Sequence, residues 1–148
     1  MGRVEWVRTL GGIGTDEFAR GVTGATIESA TRRAKYIRLD LKQPGKGSRG
    51  QDGGSILIHL RMSGRLLLGR QGTQAPRWRR VSLELDRGML HFVDVRKFGR
   101  FVWTTTPDAD LAHLGPEPLS DAFTPSWLYE ALRQRKRHMK PLLLDQAF

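Results

Sequence analysis

The sequence predicts a mainly β protein: an antiparallel β-sandwich with one short helix near its start, followed by helices near its end. Two observations carry this. Between residues 36 and 104 apolar and polar side chains alternate with a period of two in one stretch after another, the mark of half-buried antiparallel strands. After Pro107 the apolar spacing becomes helical and is opened by proline signals.

The elements follow in chain order. Residues 15–21 read as the short helix, with Thr15 as N-cap, Asp16 and Glu17 in the first turn where the helix dipole favours acids, and Gly21 as the stop. Ile37, Leu39 and Leu41 alternate with Arg38, Asp40 and Lys42 to give a strand that Lys35 begins. Ile56, Ile58, Leu60 and Met62 share one face of the next, with Leu57, His59 and Arg61 on the other. Val81, Leu83 and Leu85 alternate with Arg80, Ser82, Glu84 and Asp86, and residues 89–95 and 98–104 add two more strands. The connections 45–54 and 69–76 are rich in Gly, Gln and Ser, as flexible hairpin ends are. Residues 108–114 fit a helical turn closed by Gly115. Thr124 as N-cap and Pro125 at the first position open a helix through Leu128, Ala131, Leu132 and Arg135. Pro141 offers a second helix start before the apolar segment 142–148, which has no C-cap. No repeat of fixed period is present, which argues against a solenoid or propeller.

A chain of 148 residues suits one domain and the start of a second, and 39% hydrophobic residues suffice for a core. No apolar run approaches the ~20 residues that span a bilayer, and the first ten residues lack the apolar stretch of a secretory signal, so a soluble cytoplasmic protein is expected. The absence of cysteine excludes a disulfide, a thiol nucleophile and a Cys-ligated zinc or iron–sulfur site within the chain. His59 and His113 have no metal-ligand companions and read as structural, so no metal site is expected. The 25 Lys and Arg against 15 Asp and Glu leave a net charge of +10. That charge is uneven: residues 31–70 carry ten basic and two acidic side chains, residues 101–123 carry none and four, and Arg133, Arg135, Lys136, Arg137 and Lys140 restore a basic cluster. Such zones suit a phosphate backbone, whose counterions they release, or else a solubilising surface.

Five strings, in order over residues 24–148, resemble one family, the bacterial formamidopyrimidine-DNA glycosylases and their endonuclease-VIII-like relatives. They are Arg32-Arg33-Ala34-Lys35-Tyr36, Ile58-His59-Leu60-Arg61-Met62-Ser63-Gly64, Asp94-Val95-Arg96-Lys97-Phe98-Gly99, His113-Leu114-Gly115-Pro116-Glu117-Pro118-Leu119-Ser120, and the basic cluster ending in Lys140-Pro141 and Leu144-Asp145. The resemblance implies a β-sandwich N-terminal domain over residues 1–115, lacking its first helix. Over residues 116–148 it implies the incomplete start of a helix-two-turns-helix domain. It implies a bifunctional DNA glycosylase and AP lyase that excises oxidised purines, 8-oxoguanine and formamidopyrimidines, by base flipping. Its partner would be double-stranded damaged DNA, bound by a monomer near the bacterial nucleoid, with no cofactor in this chain because the family's frequent zinc finger lies C-terminal to it.

Each candidate residue has two readings. Lys35 by type alone is a solvated strand end; the resemblance gives it a phosphate contact beside the lesion and a proton-transfer role. Met62 is a core gap-filler, or one of the side chains that fill the space an everted base leaves. Phe98 is core beside Phe101 and Trp103, or a wedge between bases; Arg96 would hydrogen-bond the orphaned partner base. The family fills the void with a Met, an Arg and a Phe, which map onto Met62, Arg96 and Phe98. Lys136 matches a DNA-contacting lysine of the family or belongs to a solvated helix face. Residues 78–80 depart from the family's histidine-rich, phosphate-contacting string, which leaves Arg77 or Arg79 for that contact.

In the resembling family the attacking group is an N-terminal proline amine that forms a Schiff base, with an adjacent glutamate moving protons. This sequence begins Met1-Gly2-Arg3, and residues 2–9 resemble an internal strand, so the chain alone is expected to be inactive in excision. The alternative is a catalytically dead nucleic-acid-binding module that kept the scaffold.

Overall fold

The computed structural model describes residues 2–44 and 53–146, in which eight strands form two four-stranded antiparallel sheets. One sheet runs in the order β1 (Gly2–Val4), β6 (Arg79–Leu85), β7 (Gly88–Asp94) and β5 (Gly64–Gly69). The other runs β2 (Thr26–Arg33), β3 (Tyr36–Lys42), β4 (Ser55–His59) and β8 (Arg100–Thr104). Period-two patterning decides the packing. Leu39, Leu41, Ile56, Ile58 and Phe101 from the second sheet meet Val81, Leu83, Leu90 and Phe92 from the first in one core. Leu10, from a 3₁₀ turn at Val7–Leu10, and Phe18, from helix α1 (Thr15–Val22), close it at one side.

The outer face of the second sheet is also covered. Leu57 packs with Leu111 and Leu114, which follow from helix α2 (Pro107–Leu111) and the turn after it, so every residue of β4 is buried. The half-exposed strand expected at residues 56–62 is therefore buried on both faces and ends at His59, leaving Met62 in the turn before β5. Helices α3 (Pro125–Arg133) and α4 (Met139–Leu143) complete the described chain. Among the described residues no helix is long and apolar enough to cross a membrane.

Several local expectations are corrected. Gly14, not Thr15, is the N-cap of α1, and the helix runs through Gly21 to Val22. Gly21 is a buried contact rather than a stop: a Cβ there would overlap the Trp103 indole. Strand β2 went unread because it is a polar edge strand whose register shifts between Ile27 and Ser29, which breaks the alternation. Lys35 does not begin β3; it shares a two-residue turn with Ala34, which takes a φ of 49°. Phe98 likewise precedes β8, in the loop 95–99. Thr124 does cap α3, accepting the Trp127 N–H at 3.0 Å, but the helix ends at Arg133, so Arg135 and Lys136 lie in the connection to α4. In α4, Pro141 is the third residue, after the N-cap His138. The expectations for 45–52 and for Ala147 and Phe148 lie outside the described residues.

Candidate nucleic-acid interface

Asp94, the last residue of β7, organises one end of the sandwich. Its buried carboxylate accepts hydrogen bonds from Ser63 Oγ, from Arg96 N at 3.2 Å and from Gly99 N at 2.7 Å. Its own N–H donates to Trp78 O at 3.1 Å, and the buried Arg80 donates from Nε to Asp94 O at 2.7 Å. The turn 60–63, the loop 95–99 and the segment entering β6 are thereby tied to one residue. Burial pushes the Asp94 carboxyl up, but the hydrogen bonds from Ser63, Gly99, Arg96 and Phe98 outweigh it and hold it below the usual carboxylate range. Gly99 completes the loop by close approach, since a Cβ there would overlap the Phe92 ring.

This frame presents three side chains to solvent. Met62 is 74% exposed and Phe98 54%, which removes both from the core. Arg96 stands between them: its Nη1 lies 3.2 Å from Met62 Sδ, and its guanidinium carbon lies 5.0 Å from the Phe98 ring centroid. The cluster offers a thioether, a flat ring and a fan of donors, without a nucleophile or general base. Such a set of groups can insert into an apolar or stacked environment and donate hydrogen bonds.

Lys35 occupies a second corner. Glu117 accepts from Ala34 N and from Arg33 Nη1 at 2.9 Å, while Arg33 Nη2 donates to Gly115 O. The Ala34 N–H foremost, then the Arg33 guanidinium, hold the Glu117 carboxyl below its usual range. From the other side Gln146 Oε1 accepts the Lys35 N–H at 3.0 Å, and Gln146 O accepts from Gly115 N at 2.9 Å. The Lys35 ammonium itself lies on the surface, 3.5 Å from Leu144 O. His59 links the corners: its Nδ1 accepts the Arg61 N–H at 3.1 Å and its ring meets Tyr36 edge-on. Burial foremost, then the charges of Arg61 and Lys35, push the His59 imidazolium pKa down.

Thus Met62, Arg96 and Phe98 come together, and the Lys35 turn is joined to the turn before Met62 through Gln146, whose Nε2 lies 3.3 Å from His59 Nε2, and through His59 to the Arg61 N–H. Lys136 is exposed in the connection between α3 and α4, and no hydrogen bond or ring contact joins it to either corner among the described residues. His113 makes a local contact to Asp110 O at 2.9 Å. Arg79 is occupied by Glu5, 2.7 Å away. Beside Phe98 a shallow cleft lined by Arg8, Lys97 and Arg100 adds positive charge, with Lys97 Nζ 4.1 Å over the Trp6 ring. Reading the sequence missed Asp94, Ser63, Glu117 and Gln146 as organisers. A lone acid heading a basic string was the available signal for Asp94; Glu117 stands in a string without Lys or Arg, and neither it nor Gln146 had such a signal. No group of three or more His, Asp or Glu side chains that could hold a metal ion is present among the described residues.

Comparison with known proteins gives a consistent set of matches. The family model for the formamidopyrimidine-DNA glycosylase N-terminal domain matches residues 2–101. The formamidopyrimidine-DNA glycosylase of Shewanella woodyi is 39% identical over 133 residues, which cover 87% of this chain and 45% of that protein. That of Desulfitobacterium hafniense is 35% identical over 148 residues, covering 97% of this chain and 51% of the relative. Among solved structures, the Lactococcus lactis formamidopyrimidine-DNA glycosylase bound non-covalently to DNA containing an AP site matches with a TM-score of 0.85 at 27% identity, over 99% of this chain and 54% of that one. MutM in complex with DNA containing carbocyclic 8-oxo-G matches with a TM-score of 0.83 at 26% identity, over 99% of this chain and 53% of that one. The chain spans about half the length of the relatives it matches.

Proposed function

Because this chain belongs to the formamidopyrimidine-DNA glycosylase family, we propose that it supplies the lesion-recognising face of a base-excision repair enzyme, a DNA glycosylase and AP lyase acting on oxidised purines in double-stranded DNA. The observation that carries this reading is the exposed cluster in which Arg96 bridges Met62 and Phe98. A base that is to react must leave the stack, and the gap must be refilled by apolar and stacking groups. Met62 enters the vacated space, Phe98 wedges beside it, and Arg96 donates to the orphaned base. Lys35, held at its turn by Glu117 and Gln146, contacts the phosphate flanking the everted nucleotide and moves a proton during strand cleavage. Lys136 adds a phosphate contact from the segment 116–148, which we read as the start of a second, helical domain following the sandwich of residues 1–115. The protein acts as a monomer in the cytoplasm, where the bacterial nucleoid lies.

The test uses the 148-residue chain and two duplexes that differ only in one tetrahydrofuran abasic site. The abasic duplex should bind more tightly than the intact one. Met62→Ala, Arg96→Ala and Phe98→Ala should each lose most of that preference and melt close to the parent, while intact-duplex affinity stays nearly unchanged in Met62→Ala and Phe98→Ala, which remove no charge. A buried Phe→Ala change costs about 3 to 5 kcal/mol. A large fall in melting temperature for Met62→Ala and Phe98→Ala, with the preference kept, would return both residues to the core and defeat the reading.

A further inference from the structure

Trp78 has no part in the cluster just described, yet the structure holds its ring in solvent at some cost. It is 44% exposed and adopts a φ of 59°, a left-handed conformation that is unfavourable for a bulky side chain. The backbone is fixed there by its neighbours. Trp78 O accepts the Asp94 N–H at 3.1 Å, the next residue pairs with Val93 and forms an ion pair with Glu5, and Arg80 is buried and bonded to Asp94 O. Trp78 is therefore anchored to the residue from which the loop of Arg96 and Phe98 departs. The Arg77 guanidinium lies 4.2 Å from the Trp78 ring centroid, and among the described residues Arg77 has no carboxylate partner. The indole thus has a cation against it and an exposed portion open to water.

We propose that Trp78 and Arg77 form a second nucleic-acid subsite, a stacking platform for an unpaired nucleobase, with Arg77 neutralising a nearby phosphate. The subsite rests on the reading of this end of the sandwich as the DNA-facing one. An indole stacks on any base whose face is free, which confines the ligand to a strand end, a bulge or a separated strand and excludes the interior of an intact duplex. The neighbouring surface, with Arg77 here and Arg96 beyond Asp94, is cationic and matches a polyanionic strand. Stacking on an aromatic tolerates any base, so the subsite reads strand separation and not sequence.

Three DNAs isolate the base from its phosphate: a blunt duplex, the same duplex with a tail of five adenine nucleotides, and the same duplex with a tail of five tetrahydrofuran residues. Both tails carry equal charge. The 148-residue chain should bind the adenine tail at least fivefold more tightly than the baseless one. Trp78→Phe should keep most of this difference. Trp78→Gly, which removes the ring and places glycine at the left-handed position, should keep its melting temperature and lose the difference. Equal binding of the two tails by the parent chain, or a difference that persists in folded Trp78→Gly, would overturn the subsite while leaving the DNA-facing reading intact. Failure to bind any of the three DNAs would overturn both.

Discussion

Asp94 sets the geometry of the loops that carry Met62, Arg96 and Phe98 through a buried charge, and the consequence is testable by one substitution. Its carboxylate is acceptor-only and faces the N–H groups of Arg96, Phe98 and Gly99 and the Ser63 hydroxyl. Asp94→Asn turns one acceptor into a donor, so the Gly99 N–H at Oδ2 or the Arg96 N–H at Oδ1 loses its acceptor, while the Ser63 hydroxyl can reverse its bond. A hydrogen bond to a charged group contributes about 1.5 to 3 kcal/mol, and the variant should lose an amount of that order in denaturant unfolding. Its abasic-site preference should fall with it, since Arg96 and Phe98 ride on the loosened loop. The pH dependence follows from signs. Asp94 is held below its ordinary value when folded, and so is Asp40, where burial pushes up but the hydroxyls of Ser29 and Ser55 and the Arg38 guanidinium outweigh it. Their stabilisation is complete above the unfolded carboxyl value of about 4 and is lost as pH falls through the folded values. His59 and His91 are held down chiefly by burial, so their contribution is complete above about 6.5 and declines in acid as well. Stability should therefore fall gently from pH 7 to 5 and more steeply below 4, and Asp94→Asn should flatten the acid limb. A parent chain whose unfolding free energy rose on acidification would contradict these assignments.

At the scale of elements, the hairpin of β2 and β3 is positioned from outside itself. Glu117 lies more than 80 residues away in sequence and fastens Arg33 and Ala34, so the Lys35 turn is fixed by the segment following α2. Glu117→Ala should cost only about 1 kcal/mol overall, because this ion pair is partly exposed. Its local effect should be larger: faster hydrogen exchange at Ala34 and Lys35, and a severalfold loss of DNA affinity. Unchanged exchange at both amides would show that Gln146 alone holds the turn. The same hairpin marks what the sequence could tell. Strand β3 was legible because Ile37, Leu39 and Leu41 alternate cleanly toward the core, and the strands around Val81 and Phe92 were legible for the same reason. Strand β2 was not, because an edge strand need bury little. The burial of Leu57 was not, because it depends on α2 arriving from fifty residues later, nor was that of His59, which lies against Tyr36 and Gln146. At the site, the side chains Met62, Arg96 and Phe98 were legible as a motif, and their convergence was not. It rests on left-handed conformations at Arg61 and Lys97, where no glycine announces a turn, and on Ser63 reaching Asp94.

For the molecule as a whole, the net charge of +10 matters less than where it is left uncompensated. Away from Phe98 many cations are paired: Arg38 with Asp40 and Asp108, Lys42 with Glu28, Arg133 with Glu130 and Arg137 with Asp145. Around Phe98 the pattern reverses, and Arg8, Arg96, Lys97 and Arg100 have no carboxylate partner among the described residues. Self-repulsion there is tolerated by spreading charge onto neutral groups, as where Arg100 Nη1 donates to Arg8 O at 3.1 Å and Lys97 stacks on Trp6. Such a cluster gains most from phosphates, because each one neutralised releases condensed counterions and adds about −0.9 to the slope of log K against log salt concentration. Non-specific duplex binding should then be weak at physiological salt, with a Kd on the order of 10⁻⁴ to 10⁻⁶ M, and should fall steeply as salt rises. The double variant Lys97→Ala, Arg100→Ala should make that slope shallower by about 2 if each cation meets one phosphate. Arg133→Ala, which removes a cation already paired with Glu130, should leave the slope unchanged. Equal slopes in the parent and the double variant would place the bound backbone elsewhere, and a parent slope near zero would remove phosphate recognition from this face altogether.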